Sequence, residues 1–211
     1  LNICIECHSC FDWLMPTIDH FRQNWPEVEM DLSTGFSFQP LPALSRGDLD
    51  LVITSDPEPR NGITYLPLFS YESVLVISKQ HPLTRKKQIQ PGDLCNETLI
   101  TYPIDHARLD IFSRFLDPAG KEPKQTRTAE LTVMIMQLVA SGRGVSALPN
   151  WAIHEYLEND YIAARPLGEK GLWCTLYAAI RSEQAEAEFM LDFLDTARDI
   201  TFRNLSGIKT A

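Results

Sequence analysis

The sequence predicts an α/β fold built on parallel strands. Three observations carry this. Over the first 55 residues, short apolar strand-like runs alternate with stretches of helical period. Their order is β-α-β-α-β, which favours parallel strands joined by helical crossovers. A second alternating series with the same pattern, though not the same sequence, follows from Thr98 onward.

The elements follow in order. NICIEC (2–7) reads as a short buried strand with Ile3 and Ile5 on one face. Phe11, Leu14, Met15, Ile18 and Phe21 then form one apolar stripe at helical spacing. Ser9 or Cys10 sits at the N-cap position, and Trp25-Pro26 ends the helix. VEMDL (28–32) alternates, with Val28, Met30 and Leu32 turned inward, and Gly35 closes it. Leu41, Leu44 and Leu49 carry a short helix broken by Arg46-Gly47, and LDLVITS (49–55) is a buried strand. A turn cluster at 56–62 leads to strands YLPLF and ESVLVIS, and a basic, Pro-containing connector spans 79–93. TLITY (98–102) is a strand, Leu109 to Leu116 a helix stopped by Pro118 and Gly120, and KQTRTA a strand. Leu131, Met134, Ile135, Leu138 and Val139 make a nearly all-apolar helix, which is expected to be buried. Gly142 and Gly144 end it. VSAL, a helix at 150–158, the strand LWCTLYAAIR (172–181) and an amphipathic helix around Phe189, Met190, Phe193 and Leu194 complete the series. The polar tail RNLSGIKTA is expected to fray.

Composition narrows the function. The chain has 211 residues, 44% of them hydrophobic, enough for a substantial core. Lys plus Arg is 19 against 28 for Asp plus Glu, a net charge of −9. That excludes a basic nucleic-acid surface as the main business of these residues, since phosphate neutralisation needs clustered cations. It also argues against a polybasic membrane-docking face. No apolar run approaches the ~18–20 residues of a membrane span. LNICIECHSC lacks the basic start of a secretory signal, and with no initial Met the chain is expected to be a fragment or to have lost a leader. Five cysteines, an odd number, argue against a disulfide framework and for a reducing cytoplasm.

Several motifs invite chemistry. Cys4, Cys7 and Cys10 have C-x2-C-x2-C spacing, but Leu14 stands where a fourth iron–sulfur ligand would fall, and residues 4 and 7 point to opposite faces of a strand. No metal is expected, and small buried side chains are the better reading. Cys10 at a helix start suits mild reactivity, yet nothing in the sequence supplies its base, so no catalytic residue is assigned. Gly142-Arg143-Gly144 follows a helix and precedes a strand, the reverse of a phosphate loop, and Arg85-Lys86-Lys87 reads as a solvated turn. Two helix starts, after Ser9-Cys10 and after Thr128-Ala129-Glu130, offer free N–H groups and the positive dipole end to a carboxylate. An ordinary N-cap explains each alone equally well. One from each half points to a cleft for a small acid, at the carboxyl ends of the strands.

RGDLDLVIT (46–54), KQHPL (79–83) and LVASGRGVSALP (138–149) occur in an order that resembles the effector-binding domain of LysR-type transcriptional regulators. A narrower resemblance, to the methionine-biosynthesis regulators of that family, rests on IECHSCFDWLMP (5–16), NWPEVEMD (24–31), DLDLVITSD (48–56), LITYP (99–103) and GLWCTLYAAIR (171–181).

The resemblance implies two Rossmann-like subdomains in a type 2 periplasmic-binding-protein-like fold, with an interdomain cleft. Subdomain I comprises 1–78 and 182–211, and subdomain II comprises 79–181. It implies a cytoplasmic, non-enzymatic sensor needing no cofactor, with homocysteine as the effector. The partners implied are a second copy, making a homodimer or, when intact, a homotetramer, through helices near 40–47 and 106–116. DNA is reached only through an N-terminal winged helix-turn-helix absent from this chain, and no membrane is involved. By position, the effector contacts carried over are His8, Ser9, Cys10, Thr54, Ser55, Tyr102, Pro103, Ala129 and Glu130. Glu130 is the first choice of acceptor for the effector's ammonium, Asp56 the second. A periplasmic solute receptor and a thiol-dependent enzyme are the alternatives.

Overall fold

The computed structural model describes residues 1–6, 10–34 and 40–211. In chain order the first elements are β1 (Asn2–Ile5), α1 (Phe11–Asn24), β2 (Asp31–Thr34), α2 (Pro40–Arg46), β3 (Leu51–Thr54) and β4 (Ile63–Ile77). Then come β5 (Thr98–Thr101), β6 (Gln125–Thr128), α3 (Thr132–Ala140), β7 (Ser146–Pro149), α4 (His154–Glu158), β8 (Ala163–Pro166), β9 (Leu172–Arg181) and α5 (Glu188–Asn204). The chain divides into two compact units, residues 1–70 with 175–211 and residues 71–174. The divisions fall inside the long strands β4 and β9.

In the first unit β1 lies between β2 and β3, parallel to both, as the β-α-β-α-β reading requires. β9 closes on β3 in antiparallel register, with Leu51 opposite Ile180. Ile3, Ile5, Leu51 and Ile53 are fully buried. Helix α1 buries Trp13, Leu14, Ile18 and Phe21, while Phe11 and Met15 of the expected stripe are exposed. Its partner is α5. Phe21 meets Phe193 edge to face, ring centroids 5.3 Å apart, and Trp25 Nε1 donates to Asp192 Oδ2 at 2.8 Å. Each buried aromatic of this kind contributes roughly 1.5–3 kcal/mol through area alone. Cys4, Leu44, Val52 and Ala179 form a separate buried cluster with Leu41 and Leu49.

Arg181 braces this unit. Its Nη1 donates to the carbonyls of Leu44 and Leu49, and its Nη2 to Asp50 Oδ1 at 2.9 Å. The end of β9 is thereby tied to the turn between α2 and β3. Burial alone would raise the Asp50 carboxyl. The Asn2 N–H and the Arg181 guanidinium outweigh it and hold the group below its ordinary value.

Two expectations change here. The strand read at 28–32 begins at Asp31, because a turn (Val28 N–H to Trp25 O, 3.1 Å) follows the helix, and pairing with β1 starts only at Asn2 opposite Asp31. Leu32, on the edge strand of the sheet, is exposed. The tail does not fray throughout: Ser70 and Lys209 exchange two backbone hydrogen bonds of 2.8 Å.

In the second unit the distal part of β4 pairs antiparallel with both β7 and β8. The two strands read at YLPLF and ESVLVIS are thus one strand of 15 residues. β5 and β6 are parallel and in register from Thr98 opposite Gln125 to Thr101 opposite Thr128. The helix expected from Leu109 is a six-residue π-helical segment, Ile111–Leu116, between single 3-10 turns. Val74, Val76, Ile100, Ile135, Met136, Val139, Leu148 and Ile153 belong to its core cluster.

Helix α3 corrects a further expectation. It buries Ile135, Met136 and Val139, but Leu131, Val133 and Met134 are 41%, 58% and 51% exposed. Its end is a Schellman turn. Gly142, at φ 71°, donates to Val139 O and Arg143 donates to Leu138 O. Gly144 serves a different purpose. A Cβ there would lie 2.5 Å from the Thr98 carbonyl oxygen and 3.0 Å from the Ile100 side chain. Its absence lets Val145 approach β5 closely enough for Ile100 N–H to reach Val145 O at 2.8 Å and Val145 N–H to reach Thr98 O at 2.9 Å. Among the described residues no helix is long and apolar enough to cross a membrane.

Candidate functional site

Each unit places its candidate residues at the carboxyl ends of adjacent parallel strands, where α/β folds bind ligands. In the first unit these are the ends of β1 and β3. Glu6 N–H bonds to Ile53 O at 3.1 Å, holding the two ends together. Thr54 follows and is buried; its Oγ1 accepts from Asp56 N–H at 3.1 Å. Ser55 beside it is exposed. Cys10 occupies the cap position of α1 and is buried, but its side chain makes no capping hydrogen bond. His8 and Ser9 lie outside the described residues.

In the second unit the corresponding ends are those of β5 and β6. Ala129 N–H continues the ladder to Thr101 O at 3.0 Å, so Tyr102 and Ala129 leave the strands side by side. Ala129 is buried, Glu130 is exposed, and Pro103 follows Tyr102 at the surface. No ion pair to Glu130 forms among the described residues, which leaves its carboxylate open to a cationic group. α3 begins at Thr132, one residue later than the apolar period suggests, and Leu131 at its cap makes no side-chain hydrogen bond. The first turn of α3 therefore presents N–H groups that the cap side chain does not cover.

The later start exposes a residue that sequence reasoning missed. Tyr102 Oη lies 2.7 Å from Thr132 Oγ1, joining the end of β5 to the start of α3. The available signal was a Thr ahead of VMIM, hidden because Leu131 also fits the helical period.

Two of the described thiols, Cys4 and Cys174, are poorly placed for nucleophilic chemistry. Burial pushes the Cys4 thiol up to about 11, with Glu6 adding and the Ser33 hydroxyl partly offsetting. Cys174 is buried and donates to Asp110 Oδ2 at 3.1 Å. Burial and then the Asp110 carboxylate drive its thiol far above the ordinary value, with Arg114 offsetting only part. A thiol held protonated is a weak nucleophile at neutral pH. Iodoacetamide on the native protein at pH 7.5, followed by peptide mass spectrometry, is expected to label half-exposed Cys95 well before buried Cys4, Cys10 and Cys174. Rapid labelling of Cys174 would contradict this.

A surface cavity of about 340 Å³ lies beside α3, lined by Val133, Met136, Gln137, Glu155, Tyr156, Asn159 and Tyr161.

Comparison with known proteins places these observations in a family. The model of the LysR substrate binding domain matches residues 1–201. The HTH-type transcriptional regulator MetR of Escherichia coli (strain K12) is 43% identical over 211 residues, covering 100% of this chain and 66% of that protein. The chain thus spans just under two thirds of the length of that curated relative. The regulatory domain of MetR, a LysR family regulator from N. meningitidis, superposes with a TM-score of 0.91 at 42% identity, covering 100% of this chain and 97% of that one. The effector binding domain of a BenM variant, at 20% identity and a TM-score of 0.78 over 100% of this chain and 99% of that one, shares the fold. The expected α/β, type 2 periplasmic-binding-protein-like class is borne out, and this chain belongs to the LysR substrate-binding domain family.

Proposed function

We propose that this chain is the effector-sensing domain of a cytoplasmic, non-enzymatic transcriptional regulator of methionine biosynthesis, and that its effector is homocysteine. The observation that supports this most is the 43% identity to MetR along the whole chain. In the second unit the effector's carboxylate takes N–H groups of the first turn of α3, and its ammonium pairs with Glu130. Tyr102, Pro103 and Ala129 are the adjoining contacts, with Cys10, Thr54, Ser55 and Asp56 as the candidates in the first unit. DNA is bound through a winged helix-turn-helix outside these residues.

The active form is a homodimer, or a homotetramer when intact, and the exposed Leu131, Val133 and Met134 of α3 support a face for it. The helices near 40–47 and 106–116 suit that role less well. In α2, Leu41 and Leu44 are buried, as are Ile111, Phe112 and Leu116 of the π-helical segment.

Homocysteine is small, so its affinity is modest, and discrimination from cysteine rests on one methylene, worth ~1–3 kcal/mol. The test is thermal unfolding under reducing conditions with homocysteine, methionine, cysteine and homoserine. A ligand at about 100 times its Kd stabilises by ~2.7 kcal/mol, which for a chain of this size raises Tm by roughly 5–10 °C. Homocysteine is expected to give the largest shift. No shift with homocysteine at millimolar concentration would remove it as the effector.

A further inference from the structure

We propose that the cavity beside α3 is a second binding site, built from none of the effector contacts, and that it takes a small organic ammonium ion. The assignment does not depend on which effector the strand ends bind.

Two stretches of the second unit make the cavity. Val133, Met136 and Gln137 lie at i, i+3 and i+4 on one side of α3. The other wall comes from α4 and the turn that ends it. That turn is a Schellman motif, in which Asp160 N–H donates to Leu157 O at 3.0 Å and Tyr161 N–H to Tyr156 O at 2.9 Å. The chain is reversed at Asp160, with φ 56°, among the described residues the one non-glycine in the left-handed region. Aspartate tolerates that conformation less well than glycine, and its carboxylate is held by Lys79. The reversal brings the Tyr161 ring against Tyr156, centroids 6.1 Å apart and planes tilted by 41°. Tyr161 Oη then donates to Gln137 Oε1 at 2.6 Å, fastening the α4 wall to the α3 wall.

Size, charge and ring faces select the ligand. The volume of about 340 Å³ is at the low end of the ~300–1,000 Å³ of small-molecule sites, so the occupant is small. Glu155 is the one charged side chain of the lining, which contains no cation. Among the described residues its carboxylate has no ion-pair partner, whereas nearby Glu158 and Asp160 pair with His154 and Lys79. An anion is therefore disfavoured, and a cation finds an unspent carboxylate. The two tyrosine faces attract a cation that comes within about 6 Å of a ring centroid. Val133 and the fully buried Met136 accept its methyl or methylene groups. Aromatic faces, one carboxylate and an apolar wall together hold an alkylammonium better than a neutral molecule of the same shape. Leu131 and Met134 do not line the cavity, so it shares only Val133 with the exposed face suggested for self-association.

The probe is choline. Its control is the isosteric alcohol in which carbon replaces the ammonium nitrogen. Binding is followed by amide chemical-shift perturbation of the native protein, with Glu155→Gln and Tyr161→Leu as variants and ligand-free melting as the folding check. Choline is expected to saturate with a Kd of about 1–10 mM, as suits so few heavy atoms, and to shift amides of residues 133–137 and 155–161. The uncharged control is expected to bind about fivefold or more weakly, and each variant to weaken choline about two- to fivefold. If Tyr161→Leu does not fold, Glu155→Gln and the uncharged control decide. No saturable shift of these amides, equal binding of the control, or unchanged affinity in Glu155→Gln would overturn the assignment.

Discussion

Replacing Gly144 with alanine is expected to lower the unfolding free energy by about 3 kcal/mol, near the upper end of what overpacking costs. The reason is a backbone atom. The added methyl would sit 2.5 Å from the Thr98 carbonyl oxygen, which no side-chain rotation can move, and 3.0 Å from the Ile100 side chain. Relief requires moving β5 away from Val145, which breaks the two hydrogen bonds there. Gly142→Ala is the control. Nothing lies within 4 Å of a Cβ at that position, so only the left-handed backbone is strained, at a cost of about 1–2 kcal/mol. Urea unfolding of the two variants is expected to rank Gly144→Ala well below Gly142→Ala. Equal losses would show that conformational strain, not the close approach to β5, is what fixes this turn.

The second large effect is expected from Arg181→Ala, with a loss of about 2–4 kcal/mol. The side chain is well sheltered, and its removal strips donors from two carbonyls and from Asp50 together. It also has a signature in pH. The folded state holds the Asp50 carboxyl below its unfolded value of ~3.9. The group therefore contributes stability above pH ~4, and that contribution is lost as pH falls through the depressed folded value. Arg181→Ala and Asp50→Asn are both expected to flatten the fall in stability below pH ~4, measured by urea unfolding across pH 2–6. A slope identical to that of the parent would mean that other carboxylates, Asp93 beside Lys86 among them, carry the acid limb.

Strong periodicity was readable from sequence. α1 and β9 have the ends that their patterns give, at Phe11–Asn24 and Leu172–Arg181. What failed was whatever depends on the neighbours of an element. Alternation at 28–32 marks apolar positions but cannot say where pairing with β1 begins. The sequence AARP of β8 carries little strand preference, and only pairing with β4 makes it a strand. An all-apolar helix such as α3 reads as buried, because composition does not reveal how many of its faces the fold covers. At the candidate site, Tyr102 was legible only through the family resemblance, and Ala129 and Glu130 through the helix start that follows them. Thr132 escaped because the helix start was placed one residue early, turning a boundary hydroxyl into an interior one.

The first unit is drawn from both ends of the chain, and its history during synthesis differs from that of its neighbour. Residues 71–174 are consecutive, so the ribosome delivers that unit whole. The other must wait for α5. Trp25 and Asp192, which bond across α1 and α5, are 167 residues apart, a delay of roughly 8–30 s at ordinary translation rates. Throughout that interval the Phe21 face of α1 lacks the Phe193 it will meet. A nascent chain of this protein therefore passes through a stage with one finished half and one sticky half, and it is in that stage that a chaperone has something to hold.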